Sequence, residues 1–199
     1  MNEKNRKVLD LWATRIWVFD FDGATEFREK WLFNLENRRK NDPAKKPAFS
    51  NRQGWNSKKD IFRDEIMAPL KKFSNGAFAS VFEEMKPISG FKFKLEAWAN
   101  IHDKGGFNMA HIHRNTLLSG CYYLQLSDKS GPLVFKDPRP GPTLAGFSGQ
   151  GVNRSQDCKI APKEGQLIVF PNWLEHYVET NEAEAQRASI AMNAVGVSV

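Results

Sequence analysis

The chain has 199 residues, 41% of them hydrophobic and 12% aromatic, with 15 Phe, 6 Trp and a formal net charge of +6. That is enough apolar mass for one packed core. It contains no apolar run of the roughly 18 residues that a membrane-spanning helix needs. The first ten residues lack the apolar segment of a secretory signal, and Cys121 and Cys158 make no disulfide framework. A reducing, cytoplasmic setting is the expectation, with no membrane partner.

Residues 11–21 (L-W-A-T-R-I-W-V-F-D-F) read as a first strand, apolar enough to be buried on both sides. Thr25 is placed to cap a helix over 26–40, where Phe27, Trp31 and Leu35 recur at i, i+4 and i+8. That helix should end before Pro43. Residues 41–57, rich in Asn, Pro, Ser and Gly and containing S-N-R-Q-G-W-N-S, read as a loop. Ser57 is placed to cap a second helix over 58–73, with Ile61, Phe62, Ile66, Leu70 and Phe73 as its apolar set and Pro69 kinking or splitting it. A third helix over 77–85 carries Phe78, Val81, Phe82 and Met85 on one face. Much of the positive charge lies in this half, in Arg38-Arg39-Lys40, Lys45-Lys46, Lys58-Lys59 and Lys71-Lys72. It is either a solvated helical face or a surface suited to an acidic partner such as nucleic acid, although no nucleic-acid motif accompanies it.

From residue 90 the period changes to two. Phe91, Phe93, Leu95, Ala97, Ala99 and Ile101 alternate with Lys92, Lys94, Glu96, Trp98 and Asn100, which is a strand. A turn, H-D-K-G-G, follows. Further strands are expected over the H-x-H segment, 117–126, 132–136, 158–161, 165–171, 176–179 and 186–196. A long Gly-, Pro- and Ser-rich loop covers 137–157 and is expected to be functional or mobile. Short strands split by turn signals read as a sandwich or barrel. One domain over 1–199 is expected, with 1–89 an N-terminal strand and buttressing helices and 90–199 the β core.

Three of the four histidines, His111, His113 and His176, fall between Gly105 and Asn193. His111 and His113 sit two apart and share a face of their strand; His176 follows another strand by a short turn. Imidazole is the commonest protein metal ligand, so the trio makes a metal constellation. Taken singly, each could be an ordinary strand or turn residue. Arg187 and Ser189 share a face by the same i, i+2 rule.

Several segments together carry a resemblance: Trp98-x-Asn100, His111-x-His113, S-G-C-Y-Y at 119–123, S-G-P-L-V-F-K-D-P-R at 130–139, F-P-N-W-L-E-H at 170–176 and R-A-S-I at 187–190. Residues 98–193 resemble the 2-oxoglutarate/Fe(II)-dependent oxygenases, and the 50–57 segment is similar to one branch of them. The resemblance implies a mainly β fold with N-terminal helices, α+β overall: a double-stranded β-helix, the jelly-roll or cupin-like barrel. It implies Fe(II), 2-oxoglutarate and O2 acting on an unidentified substrate, by C–H hydroxylation. It places His111 and His176 on the metal, with His113 where the wider family has a carboxylate. It gives Arg187 the far carboxylate of 2-oxoglutarate, Ser189 and Tyr123 its support, and Asn100 a further hydrogen bond to it. Three neutral imidazoles leave the site one unit more positive than two plus a carboxylate, which alters metal preference and redox tuning. Asp103 is a candidate to enter the metal's surroundings, while Glu175 is expected to point away. Arg139 is either a substrate contact or a turn residue.

Two other classes fit parts of the pattern. A cupin-type metal protein accommodates three histidines but lacks the usual Glu after H-x-H and leaves Arg187-x-Ser189 unexplained. A non-catalytic jelly-roll module would use the basic half as its contact surface.

Overall fold

The structure, a computed structural model, describes residues 11–42, 49–87, 91–141 and 157–197. Among them nine strands form one antiparallel, curled sheet: β1 (Trp17–Asp20), β2 (Asn51–Asn56), β3 (Lys92–His111), β4 (Leu118–Gln125), β5 (Leu133–Phe135), β6 (Cys158–Ile160), β7 (Gln166–Pro171), β8 (His176–Val178) and β9 (Arg187–Val197). Their order is β1-β7-β4-β9-β3-β8-β5-β6, with β2 laid on β3. The fold is a jelly-roll half-barrel with two helices, α1 (Ala24–Lys40) and α2 (Ala68–Met85), on its outer side.

Alternation along the strands sorts side chains to two faces. Ala97, Ala99, Ile101, Leu118, Tyr122, Leu167, Val169, Ala188, Ile190 and Met192 face the helices. There they meet Trp31 and Leu35 of α1 and Leu70, Phe78, Val81 and Phe82 of α2, all buried. Burying each large apolar side chain contributes about 1.5–3 kcal/mol, so this layer fixes the helices to the sheet. Trp31 also donates Nε1–H to the Ile66 carbonyl at 2.8 Å. The opposite face carries Trp98, Asn100 and His102 of β3 beside Ala191, Ser189 and Arg187 of β9, in that register. Tyr123 and Cys121 of β4 lie opposite Ser189 and Ala191. That face lines the hollow of the half-barrel.

Several expectations are corrected. The first strand is short and at the sheet edge, with Val18 half exposed, because it pairs on one side only, with β7. The 51–56 part of the expected loop is strand β2, fastened to β3 by the pairs Trp55–Ile101 and Asn56–Asn100. The helices expected over 58–73 and 77–85 are instead two short 3-10 turns, Ile61–Arg63 and Glu65–Met67, followed by the single helix α2. Pro69 kinks nothing: it stands in the first turn, where its missing N–H is unused. The H-D-K-G-G segment does not reverse the chain. It is a bend within β3, with Gly105 at φ +86 and Gln53 of the facing strand at φ +52. Beyond that bend, β3 leaves β9 and runs on against β8. Thr25 lies inside α1, whose N-cap is Gly23, and α1 ends at Lys40 as expected.

Part of the basic run is used internally. Arg38 grips Asp64 with two bonds of 2.7 and 2.8 Å and Asp60 with one of 2.8 Å, tying the end of α1 to the 3-10 turns. Arg39 pairs with Asp103. Lys45, Lys46 and residues 142–156 of the expected long loop lie outside the described residues.

Candidate active site

The three histidines meet. His111 ends β3, His176 begins β8, and the two are direct partners across the ladder. His113 lies two residues past the strand end. Its N–H donates to the Asn172 carbonyl at 3.0 Å, and its carbonyl accepts from Asn172 Nδ2 at 2.9 Å. One nitrogen from each ring falls within 4.8 Å of the others. Nε2 of His113 stands 3.3 Å from Nε2 of His176.

The surroundings fix which nitrogens are offered. His111 Nδ1 is 2.7 Å from the Met109 carbonyl and His176 Nδ1 is 2.8 Å from the Leu174 carbonyl. A carbonyl only accepts, so each Nδ1 carries the proton and each Nε2 presents a lone pair. Burial holds all three imidazoles below their ordinary pKa, His113 to about 4 and His176 to about 3; His113 and His176 also feel the neighbouring imidazoles, and His113 feels Lys59. They are neutral near pH 7, the form that ligates a cation. Two nitrogens each about 2.1 Å from one ion stand roughly 3.0–3.4 Å apart when the angle between them is right to tetrahedral. The His113–His176 spacing fits that. Phe170 packs edge-on against the His176 ring at 4.6 Å between centroids, closing one side to water.

The same cavity, of about 290 Å³, continues to a second polar end. Arg187 is 1% exposed, and its Nη1 donates to Ser189 Oγ at 3.2 Å. The guanidinium lies 5.4 Å from the centre of the Tyr123 ring. Arg187 Nε and Nη2 and the Tyr123 hydroxyl are buried with no hydrogen-bond partner. The described lining contains no Asp or Glu. A buried cation without a counter-charge is costly, so these donors are arranged for an anion that the described residues do not supply. Burial pushes the Tyr123 phenol well above its ordinary pKa, which keeps it a donor. Cys121, half-buried, lines the same cavity, its thiol pKa raised chiefly by removal from water. Asn100 lines it too.

Thus His111, His113, His176, Arg187, Ser189, Tyr123 and Asn100 share one cavity. Arg139 is not among its described lining: the side chain folds back on Asp137 with bonds of 3.0 and 2.8 Å. Asp103 stays with Arg39 and Gln186, outside the histidine group. Glu175 points away to Lys136, at 2.8 Å. Sequence reasoning passes over two neighbours of the site. His102, on the Asn100 face of β3, is fully buried with both ring nitrogens unpartnered. Its i, i+2 phase with Asn100 was the available signal. The other is β2, whose Ser50 neighbour lies 3.5 Å from His111 Nε2.

Residues 96–193 match the family model described as "Putative 2OG-Fe(II) oxygenase". No curated protein sequence matches the chain. Among solved structures, a prolyl-4-hydroxylase from Pseudomonas putida superposes with a TM-score of 0.67 at 17% identity, covering 94% of this chain and 95% of that one. HygX from Streptomyces hygroscopicus, with nickel and 2-oxoglutarate bound, gives 0.64 at 13% identity over 92% and 83%. A prolyl hydroxylase from Trichoplax adhaerens, in complex with a hypoxia-inducible-factor peptide, gives 0.60 at 13% identity over 90% and 83%. At such identities the likeness is one of fold. The segment that matches this 2OG-Fe(II) oxygenase model, residues 96–193, also holds the three histidines, Asn100, Tyr123, Arg187 and Ser189.

Proposed function

We propose that the protein is a 2-oxoglutarate- and Fe(II)-dependent dioxygenase that hydroxylates a C–H bond of an as yet unidentified substrate. The observation that carries this reading is one cavity with three neutral imidazoles at one end and a buried, unneutralised Arg187 at the other. His111, His113 and His176 hold the metal. Arg187 pairs bidentately with the far carboxylate of 2-oxoglutarate. The Ser189 and Tyr123 hydroxyls steady that carboxylate, and Asn100 donates from the side. Bound Fe(II) and 2-oxoglutarate supply the oxidising chemistry, consuming O2 and releasing succinate and CO2. The chain's own part is to orient the cosubstrate between two fixed ends and to exclude water with Phe170 and Leu133. Substrate enters past Phe49, Lys59 and Trp98 at the mouth, where Lys59 Nζ lies 5.4 Å above the Trp98 ring. A cupin-type metal protein would leave the unpaired donors of Arg187 without a use.

The test is an anaerobic absorption titration of metal-free protein with Fe(II) and then 2-oxoglutarate. A visible charge-transfer band requiring both additions, and lost in Arg187→Ala, is the expected result. Tight Fe(II) binding with no band on adding 2-oxoglutarate would favour the cupin-type reading; no metal binding would favour a non-catalytic module.

A further inference from the structure

The S-N-R-Q-G-W-N-S segment builds a chain of amides that ends in the cavity. Asn51 is 1% exposed, and its Nδ2 donates to the backbone carbonyl of Trp55 at 3.5 Å and to Asn56 Oδ1. Asn56 Nδ2 in turn donates to Asn100 Oδ1. A backbone carbonyl can only accept, so Trp55 fixes which end of the Asn51 amide turns toward Asn56. That choice fixes Asn56, and Asn56 fixes Asn100. With Oδ1 committed, what Asn100 has left for a ligand is Nδ2, a donor. The geometry of β2 protects the arrangement. Gly54 faces His102 across the ladder, and a Cβ there would come within 2.5 Å of both Asn51 Oδ1 and the His102 ring. Ser57 fastens the strand end, accepting the Ala99 N–H on its Oγ at 2.9 Å.

We propose that Asn51 and Asn56 are positioning residues that set the polarity of the Asn100 amide, so that it presents a donor and not a carbonyl to the carboxylate-bearing ligand of the cavity. The inference rests on the oxygenase reading for the identity of that ligand. Neither asparagine lies in the segment that matches the family model; Asn56 also lines the cavity, and the relay has it act on the ligand through Asn100.

Asn56→Asp is nearly isosteric but its side chain only accepts. The introduced carboxylate still serves Asn51 Nδ2, and it forces Asn100 to turn over, Nδ2 toward that carboxylate and Oδ1 toward the cavity. The experiment measures 2-oxoglutarate affinity by the charge-transfer band in Fe(II)-loaded wild type, N56D, N56A, N100A and N56D/N100A, with Fe(II) affinity measured alongside. The expected result is about a tenfold loss in N56D, a smaller loss in N56A, and no further loss in N56D/N100A beyond N100A, with Fe(II) affinity unchanged. The double variant separates the amide from the added charge, because repulsion by the introduced carboxylate itself would persist without Asn100. Wild-type affinity in N56D, an equal loss in both backgrounds, or a larger loss in N56A than in N56D would overturn the relay. A wild type without any band would overturn the oxygenase reading and take the relay's ligand with it.

Discussion

His102 and Arg187 face each other across the β3–β9 ladder, both fully buried, and among the described residues no hydrogen-bond partner meets either His102 ring nitrogen or Nε and Nη2 of Arg187. The arrangement is unfavourable for the ligand-free fold and useful only once something negative enters. Arg187→Met should therefore hold or raise the stability of the ligand-free protein, by about 1–3 kcal/mol, since a buried group with unmade hydrogen bonds is removed. The same variant should lose stabilisation by 2-oxoglutarate. Urea melts with and without the metal and cosubstrate check both halves. A less stable variant that still responds to 2-oxoglutarate would sink the idea.

His102 should also shape acid stability. Burial, reinforced by Arg187, lowers its pKa from 6.5 to about 3 in the folded protein. The unfolded chain takes up a proton there below pH 6.5 and the folded chain does not. Stability is thus fully present above pH 6.5 and is lost as pH falls toward 3, with His102 adding up to about 1.4 kcal/mol per pH unit to the slope. His102→Phe should flatten the dependence of the urea midpoint on pH between 6.5 and 3 by that share. An unchanged slope would mean that His102 is solvated.

The histidine trio should bind a divalent cation cooperatively with its carbonyl partners. His176→Ala removes a nitrogen held in place by the Leu174 carbonyl. Its cost in Fe(II) affinity should exceed the about 10–100-fold typical of losing an outer partner. Anaerobic calorimetry on His176→Ala and His113→Ala reads this directly. Comparable affinity in either variant would remove that residue from the metal set.

Two glycines should respond in opposite directions. Gly76 lies in α2 with nothing within 4 Å of an added Cβ, so Gly76→Ala should stabilise by about 0.5–1 kcal/mol. Gly54→Ala would press on Asn51, His102 and the Ile101 carbonyl and should destabilise by about 1–3 kcal/mol. Denaturant midpoints of the two variants, compared with the parent, decide.

Gly76 also shows where the sequence misleads. The Ser74-Asn75-Gly76 run reads as a break between helices, yet Asn75 is half-buried and bonds back to the Lys71 carbonyl, and α2 passes straight through. Burial of Phe78, Val81 and Phe82 outweighs the local cost of glycine. The strands from β3 onward were legible because their alternation reports burial on one face. So were the histidines, Arg187 and Ser189, because the i, i+2 rule carries over directly to a sheet. Strand β2 was not: Asn, Arg, Gln and Gly make a turn-like composition, and what holds the strand is polar pairing to β3 and an amide chain that no hydrophobic pattern records. His102 was missed for a related reason. Its strand phase was masked by the turn-like D-K-G-G that follows it, and its burial depends on β2 and β9 arriving from distant parts of the chain.

The bend at Gly105 leaves β3 unbroken between Asn100 and His111. Both ends of the cavity are therefore mounted on a single covalent beam, braced by β9 along one length and by β8 along the other. On the proposed oxygenase reading, substrate and cosubstrate come and go without changing the span from the histidine end to the Arg187 end. Adaptation during turnover then belongs to the facing wall, and specificity for different substrates can diverge there while the span stays constant.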